Sequence, residues 1–395
     1  MQLQGRDAPA LDLSASVDGA RVAITHDFME TYGGAERVTA EMAATFPDAA
    51  VHALLARPAV AVRMGVADRT TSLVAPREVL LARYRLGAGL WGHYADRVRL
   101  PPVDVVLSSS YAFAHRLRTA NDAPIVCYCH SPLRFAWSMT NAYRHRWARS
   151  RVAASGFDLL VAGVRRSDRR AAQRVDTYLT QSPYTADQIR EYYGREAAVI
   201  GAPVDCERFR PAPDGSELGD YFLLVSRLVE PYKRVGAAVE AFRRMPDERL
   251  IVAGDGPAMG ELKAAAPGNV EFLGRQEDAE LVALMQRCRA AIFPSCDDFG
   301  LVPVEVMACG RPVLAYADGG ALYTVREGVT GRFFPAQTPD AIVRAVRDFE
   351  PEDYDAGDIR QHALQWDRLR FRARLVAAVR RAIAESEAPS PVASP

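Results

Sequence analysis

The run CDDFGLVPVE, residues 296–305, carries a carboxylate at Asp297 and another at Glu305, eight positions apart. Between them lie a Phe-Gly pair and an apolar stretch that reads as a helix start near Gly300–Leu301, with Pro303 in its first turn. A first helical turn has amide N–H groups with no intrahelical partner and the positive end of the helix dipole, so it attracts phosphate. Proline suits this place because its missing N–H would be unpaired anyway. Residues Phe299, Gly300, Leu301 and Val302 are thus candidates to meet a phosphate. Glu305, one turn further in, could reach the vicinal hydroxyls of a ribose, and Asp297 could take hydroxyls at the other end of the ligand. The two acids would then bracket a nucleotide-sugar rather than act on each other. The same spacing also suits a solvated loop acid followed by an ordinary helix-face glutamate.

Three further runs have the character of ligand loops. SRLVEPYKR (226–234) follows a strand and holds Arg227 and Lys233 six positions apart around Pro231. Two cations at the end of a strand could clamp a diphosphate and would meet the charge that grows as a diphosphate departs. Lys233 is one of only two lysines, with Lys263, in a chain whose other basic residues are arginines. A solvated surface turn is the other reading. THDFMETYGGAER (25–37) offers Gly33 and Gly34, where backbone could come close to a ligand; an ordinary strand-to-helix turn fits equally, and His26 and Asp27 could be structural. CYCHSPLRF (127–135) ends a buried strand at His130, which could accept a hydrogen bond from a substrate hydroxyl or simply be packed and bonded.

Other chemistries find no support. The six cysteines form no CxxC pair and have no histidines at zinc spacing, and they read as reduced thiols. GDGPAMG (254–260) is not a dinucleotide fingerprint because position 259 is Met259, and no Gly-Lys dipeptide exists for a phosphate-binding P-loop. Lys+Arg and Asp+Glu both number 49, so the net charge is zero, which argues against a dedicated nucleic-acid binder. Residues 134–174 carry ten arginines among Trp137, Tyr143, Trp147 and Phe157. Arg165, Arg166, Arg169 and Arg170 could share a helix face that touches anionic lipid, or be a solvated face. No leader peptide and no membrane-spanning run is evident.

These loops need a frame. Short apolar runs at 21–25, 51–54, 104–108, 124–129, 176–181 and 198–200 alternate with helical patterns such as 34–46 and 185–193. A Pro/Gly-rich connection spans 201–219. A second series follows, with strands at 221–226, 249–254, 270–273, 290–293 and 312–316 and helices at 234–244, 277–288 and 301–309. Continuous apolar runs suit parallel strands buried on both faces. The expected class is α/β with two doubly wound domains facing across a cleft. The expected boundaries are a flexible segment 1–20, a first domain 21–203, a second domain 204–360, a helix 361–386 packing back across the domains, and a disordered tail 387–395.

With these runs in place, the chain resembles the retaining glycosyltransferases of family four, which adopt the GT-B fold. The resemblance covers about 21–345 and is carried by HDFMETYGGAERV, YCHSPLRFAW, SPYTADQIREYYGREAAVI, SRLVEPYKRV, AGDGP, FLGR and DDFGLVPVEVMACGRPVLAYADGGALYTVREGVTGRFF. It leans toward the branch with bacterial O-antigen mannosyltransferases. It implies that Gly33 and Gly34 lie against the donor diphosphate, that His130 is an active-site histidine near the transferred sugar, and that Arg227 and Lys233 clamp the diphosphate. It places Glu305 on the ribose, residues 274–276, with Gly274 and Arg275, near the base, and Asp297 where the family usually has a glutamate facing the donor sugar. Asp is one methylene shorter, and Asp298 could share that role. The resemblance further implies retention of configuration, no metal and no cofactor, with the leaving diphosphate itself taking the acceptor's proton.

The function so implied is transfer of mannose from GDP-mannose to a lipid-linked oligosaccharide or similar glycan acceptor in polysaccharide biosynthesis. The implied location is cytoplasmic, with peripheral contact to the inner face of the plasma membrane and no nucleic-acid partner. The rivals are a UDP-sugar donor with a soluble natural-product acceptor, a non-hydrolysing nucleotide-sugar epimerase, and a binding protein without turnover. The acceptor is expected against residues 84–150.

Overall fold

In a computed structural model, residues 19–74, 88–147, 150–213 and 218–387 are described. The segments 1–18 and 388–395, read above as flexible and disordered, lie outside the described residues, as does part of the expected acceptor region. The chain divides into two compact units, one formed by the chain up to Pro203 together with the chain from Leu369, the other by Val204–Arg368.

The strands of the first unit are all parallel: β1 (Val22–Met29), β2 (Ala50–Ala56), β3 (Thr70–Ser72), β4 (Arg99–Leu100), β5 (Val105–Ser110), β6 (Arg118–Thr119), β7 (Ile125–Cys129), β8 (Thr177–Thr180) and β9 (Ala197–Val199), with the apolar runs at β1, β2, β5, β7, β8 and β9. Seven of them make one sheet in the order β3-β2-β1-β5-β7-β8-β9, while β4 and β6 pair separately. Every residue of β1, β5 and β7 is buried. That is why their sequences run apolar without alternation, since both sheet faces are covered. The short β3 (TTS) lies at the sheet edge and has no apolar run to announce it.

The second unit repeats the plan with β10 (Tyr221–Val225), β11 (Arg249–Ala253), β12 (Val270–Gly274), β13 (Ala291–Phe293), β14 (Val313–Tyr316) and β15 (Gly331–Phe334), in the order β12-β11-β10-β13-β14-β15. Its core packs Phe222, Leu250, Ile292 and Leu314 from the strands against Val239, Phe242, Ile342 and Val346 from the helices Val235–Arg243 and Pro339–Arg347.

Each sheet therefore reverses direction once, at β1/β5 in the first unit and at β10/β13 in the second. Beyond the carboxyl ends of strands at such a switch point the connecting loops diverge and leave a crevice, the usual ligand position in open α/β sheets.

The C-terminal stretch read as one helix over 361–386 is broken. Helix Ala356–Ala363 leads into a single turn at Leu364–Trp366 before helix Arg368–Glu387 begins. The break is pinned by backbone bonds to one residue: Val204 N–H donates to Trp366 O at 2.9 Å, and Arg368 N–H to Val204 O at 3.0 Å. Beyond it the last helix packs on the first unit. Phe371 meets the Tyr128 ring edge-on at 5.7 Å, and Arg372 Nε reaches Glu41 at 2.7 Å.

Candidate functional site

In the second unit, both charged constellations fall at the β10/β13 switch. The loop after β10 carries Arg227 and Lys233, and the loop after β13 carries Asp297. Lys233 Nζ lies 2.7 Å from both Asp297 oxygens, a bidentate ion pair with about a fifth of each side chain exposed. The contact joins residues 64 apart in sequence. An ammonium has three N–H donors. Two can go to the Asp297 oxygens, and the Tyr232 ring centroid lies 5.0 Å from Nζ. Both Asp297 oxygens contact the lysine. Arg227 is exposed.

The helix behind Asp297 runs Leu301–Ala308, with Gly300 at its N-cap in the left-handed region at φ 86° and no side chain capping it. The amides of Leu301 and Val302 precede the first intrahelical bond, and Pro303 has none to give. The first turn thus offers two amides with no intrahelical partner. Glu305 is buried, with 3% of its surface exposed. Phe299 is buried too, its ring meeting Trp366 at 6.1 Å and Tyr323 at 6.4 Å. The Phe299 side chain is a core group, so only its backbone could face a ligand.

Gly320, together with the pair Gly254 and Gly256, holds these loops against each other, and local sequence gave none of the three a role. A Cβ on Gly320 would lie 2.3 Å from Phe299 Cα, and Gly320 N–H donates to Asp297 O at 2.7 Å. The 317–320 loop after β14 thus presses directly on the backbone of 297–299. Gly254 and Gly256, set aside above as a failed fingerprint, do the same for the Arg227 segment. A Cβ on Gly254 would lie 1.9 Å from Ser226 O, and one on Gly256 would lie 2.4 Å from Leu228 O. Leu228 N–H donates to Asp255 O at 3.0 Å, and Gly254 N–H to Gly274 O at 2.7 Å, so the loops after β10, β11 and β12 are laced edge to edge. Gly274 has φ 73° with open space where a side chain would stand, and Arg275 beside it is exposed.

In the first unit, the β1/β5 switch is organised by Asp27. Its buried carboxylate accepts four backbone N–H groups from the loop after β5: Tyr111 at 2.6 Å, Ala112 at 2.9 Å, Phe113 at 2.5 Å and Ala114 at 2.7 Å. Of the two readings open for Asp27, this is the structural one. Asp27→Asn turns an amide NH2 toward two of those donors and leaves them unmatched. The expected cost is at least about 2 kcal/mol, from roughly 1–3 kcal/mol per unsatisfied buried group. A urea unfolding midpoint equal to wild type would contradict this.

His130 stands at the end of β7, buried, with Nε2 2.8 Å from Ser109 Oγ. Burial, then the neighbouring His26 and Arg134, push its pKa down to about 3, so the ring is neutral at physiological pH. The unfolded chain binds this proton near the ordinary value of 6.5, so the stability contribution is full above 6.5 and is lost as pH falls toward 3. We expect unfolding free energies to decline over that window by up to about 1.4 kcal/mol per pH unit from this group. A His130→Gln variant should show a shallower decline in the same titration. Gly33 caps helix Gly34–Thr45 and donates its N–H to Glu36 Oε2 at 2.9 Å.

The Arg-rich helix spans Arg151–Ala172 and carries Arg165, Arg166, Arg169 and Arg170. Arg165 and Arg169 fold over the Trp137 ring at 5.3 and 5.2 Å, and their Nε atoms donate to Ala136 O and Tyr192 O at 2.6 Å each. Arg166, Arg169 and Arg170 are exposed, and Arg165 is half-buried. Among the described residues no helix is long and apolar enough to cross a membrane. Nor, among them, is any group of three or more His, Cys, Asp or Glu side chains placed to hold a metal ion.

The two-sheet architecture is that of the GT-B fold. The Anabaena protein HepE, crystallised with UDP, superposes with a TM-score of 0.66 at 19% identity, covering 93% of this chain and 99% of that one. A sucrose-phosphate synthase from Thermosynechococcus elongatus gives 0.66 at 16% identity, with 92% and 100% covered. The model of glycosyltransferase family 4 matches residues 32–208, and that of glycosyl transferases group 1 matches residues 208–366. The two matches together run nearly the length of the described chain, and the protein belongs to the family 4 (group 1) glycosyltransferases. Among curated relatives, a GDP-mannose-dependent alpha-(1-6)-phosphatidylinositol monomannoside mannosyltransferase of Mycolicibacterium smegmatis is 33% identical, over 46% of this chain and 54% of that protein. A D-rhamnosyltransferase of Pseudomonas aeruginosa is also 33% identical, over 44% and 49%. The chain spans about half the length of the curated relatives it matches.

Proposed function

We propose that the protein is a retaining, metal-independent glycosyltransferase that moves mannose from GDP-mannose to a hydroxyl of a lipid-linked oligosaccharide or similar glycan. The observation that carries the reading is the Lys233–Asp297 pair at the β10/β13 switch, with the uncapped start of helix Leu301–Ala308 immediately after it. Lys233, Arg227 and the Leu301 and Val302 amides would neutralise the donor diphosphate. That charge grows as the bond to the sugar breaks, so these groups favour the transition state over the ground state. Glu305 is assigned to the ribose, Gly274 and Arg275 to the base, Gly33 and Gly34 to the diphosphate, and His130 to the transferred sugar. The leaving diphosphate is assigned the acceptor's proton. The GDP-mannose choice is supported by the mycobacterial relative. The UDP in the HepE crystal supports the second reading, a UDP-sugar donor on the same clamp.

A thermal-shift panel of GDP, GDP-mannose, GDP-fucose, UDP, UDP-glucose and UDP-GlcNAc tests the donor, because a ligand of the native state raises the melting temperature by mass action. Stabilisation by GDP and GDP-mannose alone is expected. Stabilisation by the UDP series alone would replace the donor and keep the clamp. Glu305→Ala should weaken binding of whichever series binds. An unchanged affinity would remove Glu305 from the ribose.

A further inference from the structure

We propose that Glu36, His26, Ser109 and Thr39 are positioning residues that decide which nitrogen of His130 carries its proton, leaving Nδ1 as the acceptor offered to a ligand hydroxyl. The ligand part rests on the assignment of His130 above; the proton placement rests on the contacts alone.

The four side chains and His130 form one buried chain of contacts. Glu36 Oε1 lies 3.5 Å from His26 Nε2. His26 Nδ1 lies 3.1 Å from Ser109 Oγ and 3.0 Å from Thr39 Oγ1. Thr39 Oγ1 lies 2.8 Å from Ser109 Oγ, and Ser109 Oγ lies 2.8 Å from His130 Nε2. Each hydroxyl has one proton to give. The Thr39 hydroxyl donates to Ser109 Oγ at 2.8 Å, with Ala35 O at 2.9 Å as a second acceptor, so its proton is not given to His26. A carboxylate also only accepts, and Glu36 faces His26 Nε2, which draws the ring proton to that side and leaves Nδ1 as an acceptor. The Ser109 proton then goes to His26 Nδ1. With that proton spent, the 2.8 Å contact to His130 is bonded only if His130 Nε2–H donates. The His130 lone pair is therefore on Nδ1.

The same carboxylate holds the glycine loop. Glu36 Oε2 accepts the Gly33 N–H at 2.9 Å while Oε1 faces His26. One side chain thus couples the backbone at Gly33 to the tautomer of His130.

The experiment is 15N NMR of the full chain labelled at histidine, at neutral pH, with His130 assigned by loss of its signals in His130→Gln. Wild type should show His130 protonated at Nε2 and bare at Nδ1. In Glu36→Gln the amide oxygen can keep the Gly33 N–H, which turns its NH2 toward His26 Nε2. His26 must then be protonated at Nδ1, the Ser109 proton is released toward His130 Nε2, and the His130 proton should move to Nδ1. Ser109→Ala, which carries the test if Glu36→Gln does not fold, should leave His130 exchanging between both forms. Transfer should fall about 10–100-fold in either variant, less than for loss of the imidazole itself. A wild-type His130 protonated at Nδ1, or the wild-type pattern persisting in both variants, would overturn the proposal. If the tautomer moves as expected and no donor is turned over by wild type, the relay stands and the transferase reading fails.

Discussion

Lys233→Ala should lower kcat by about 10²–10³-fold while changing donor affinity much less. The magnitude is that of removing one preorganised donor aimed at developing charge. The asymmetry follows from what the lysine meets. Under the proposed function a bound diphosphate would already be partly neutralised by Arg227 and the helix amides, whereas the charge that develops on bond cleavage would be new. The structure adds a constraint through the bidentate pair with Asp297, which fixes the ammonium at 2.7 Å from both oxygens. Asp297→Asn should therefore share much of the Lys233→Ala phenotype, because it frees the lysine without removing it. Steady-state kinetics with calorimetric donor affinities separates the two quantities. Equal losses in both would make Lys233 a ground-state binder only.

Gly254→Ala should destabilise the second unit by roughly 2–6 kcal/mol and abolish nucleotide-induced stabilisation. Its φ of 137° lies where L-residues with a side chain are strained, and its Cβ would stand 1.9 Å from the Ser226 carbonyl oxygen. Backbone strain of about 1–3 kcal/mol and overpacking of about 1–3 kcal/mol add here, because the obstacle is main chain and cannot rotate away. The only relief is to push the Ser226–Leu228 segment outward, and Arg227 with it. Thermal unfolding with and without donor measures both effects. A variant that melts like wild type and still responds to donor would show that the loops after β10 and β11 are not rigidly coupled.

Much of the frame was legible because burial on both faces of a parallel sheet leaves a plain mark. β1, β5, β7, β10 and β11 each sit on an apolar run that pattern alone picks out. β3 was not legible, since an edge strand of Thr-Thr-Ser carries no such mark. The break at Trp366 was not either, since it depends on the bonds to Val204, 162 positions earlier by numbering. For the site, residue types and loop positions could be read locally, but partners could not. The pairing of Lys233 with Asp297 follows only once β10 and β13 are neighbours, and sequence order gives no hint of that adjacency. The roles of Gly254 and Gly320 depend on backbones that touch across loops. Asp27 was ambiguous for the same reason: its four amide partners lie 84 to 87 positions away. For the arginines of 165–170, a helical wheel shows their direction but not the Trp137 ring under Arg165 and Arg169.

The proposed function requires a donor diphosphate held at the β10/β13 switch by Arg227 and Lys233. Calorimetric titration of nucleoside diphosphate into wild type and into the Arg227→Ala/Lys233→Ala double variant measures that hold. Two charge-assisted contacts at about 1.5–3 kcal/mol each predict a loss of at least about 100-fold in affinity. Binding of equal strength to both proteins would place the diphosphate elsewhere and contradict the account.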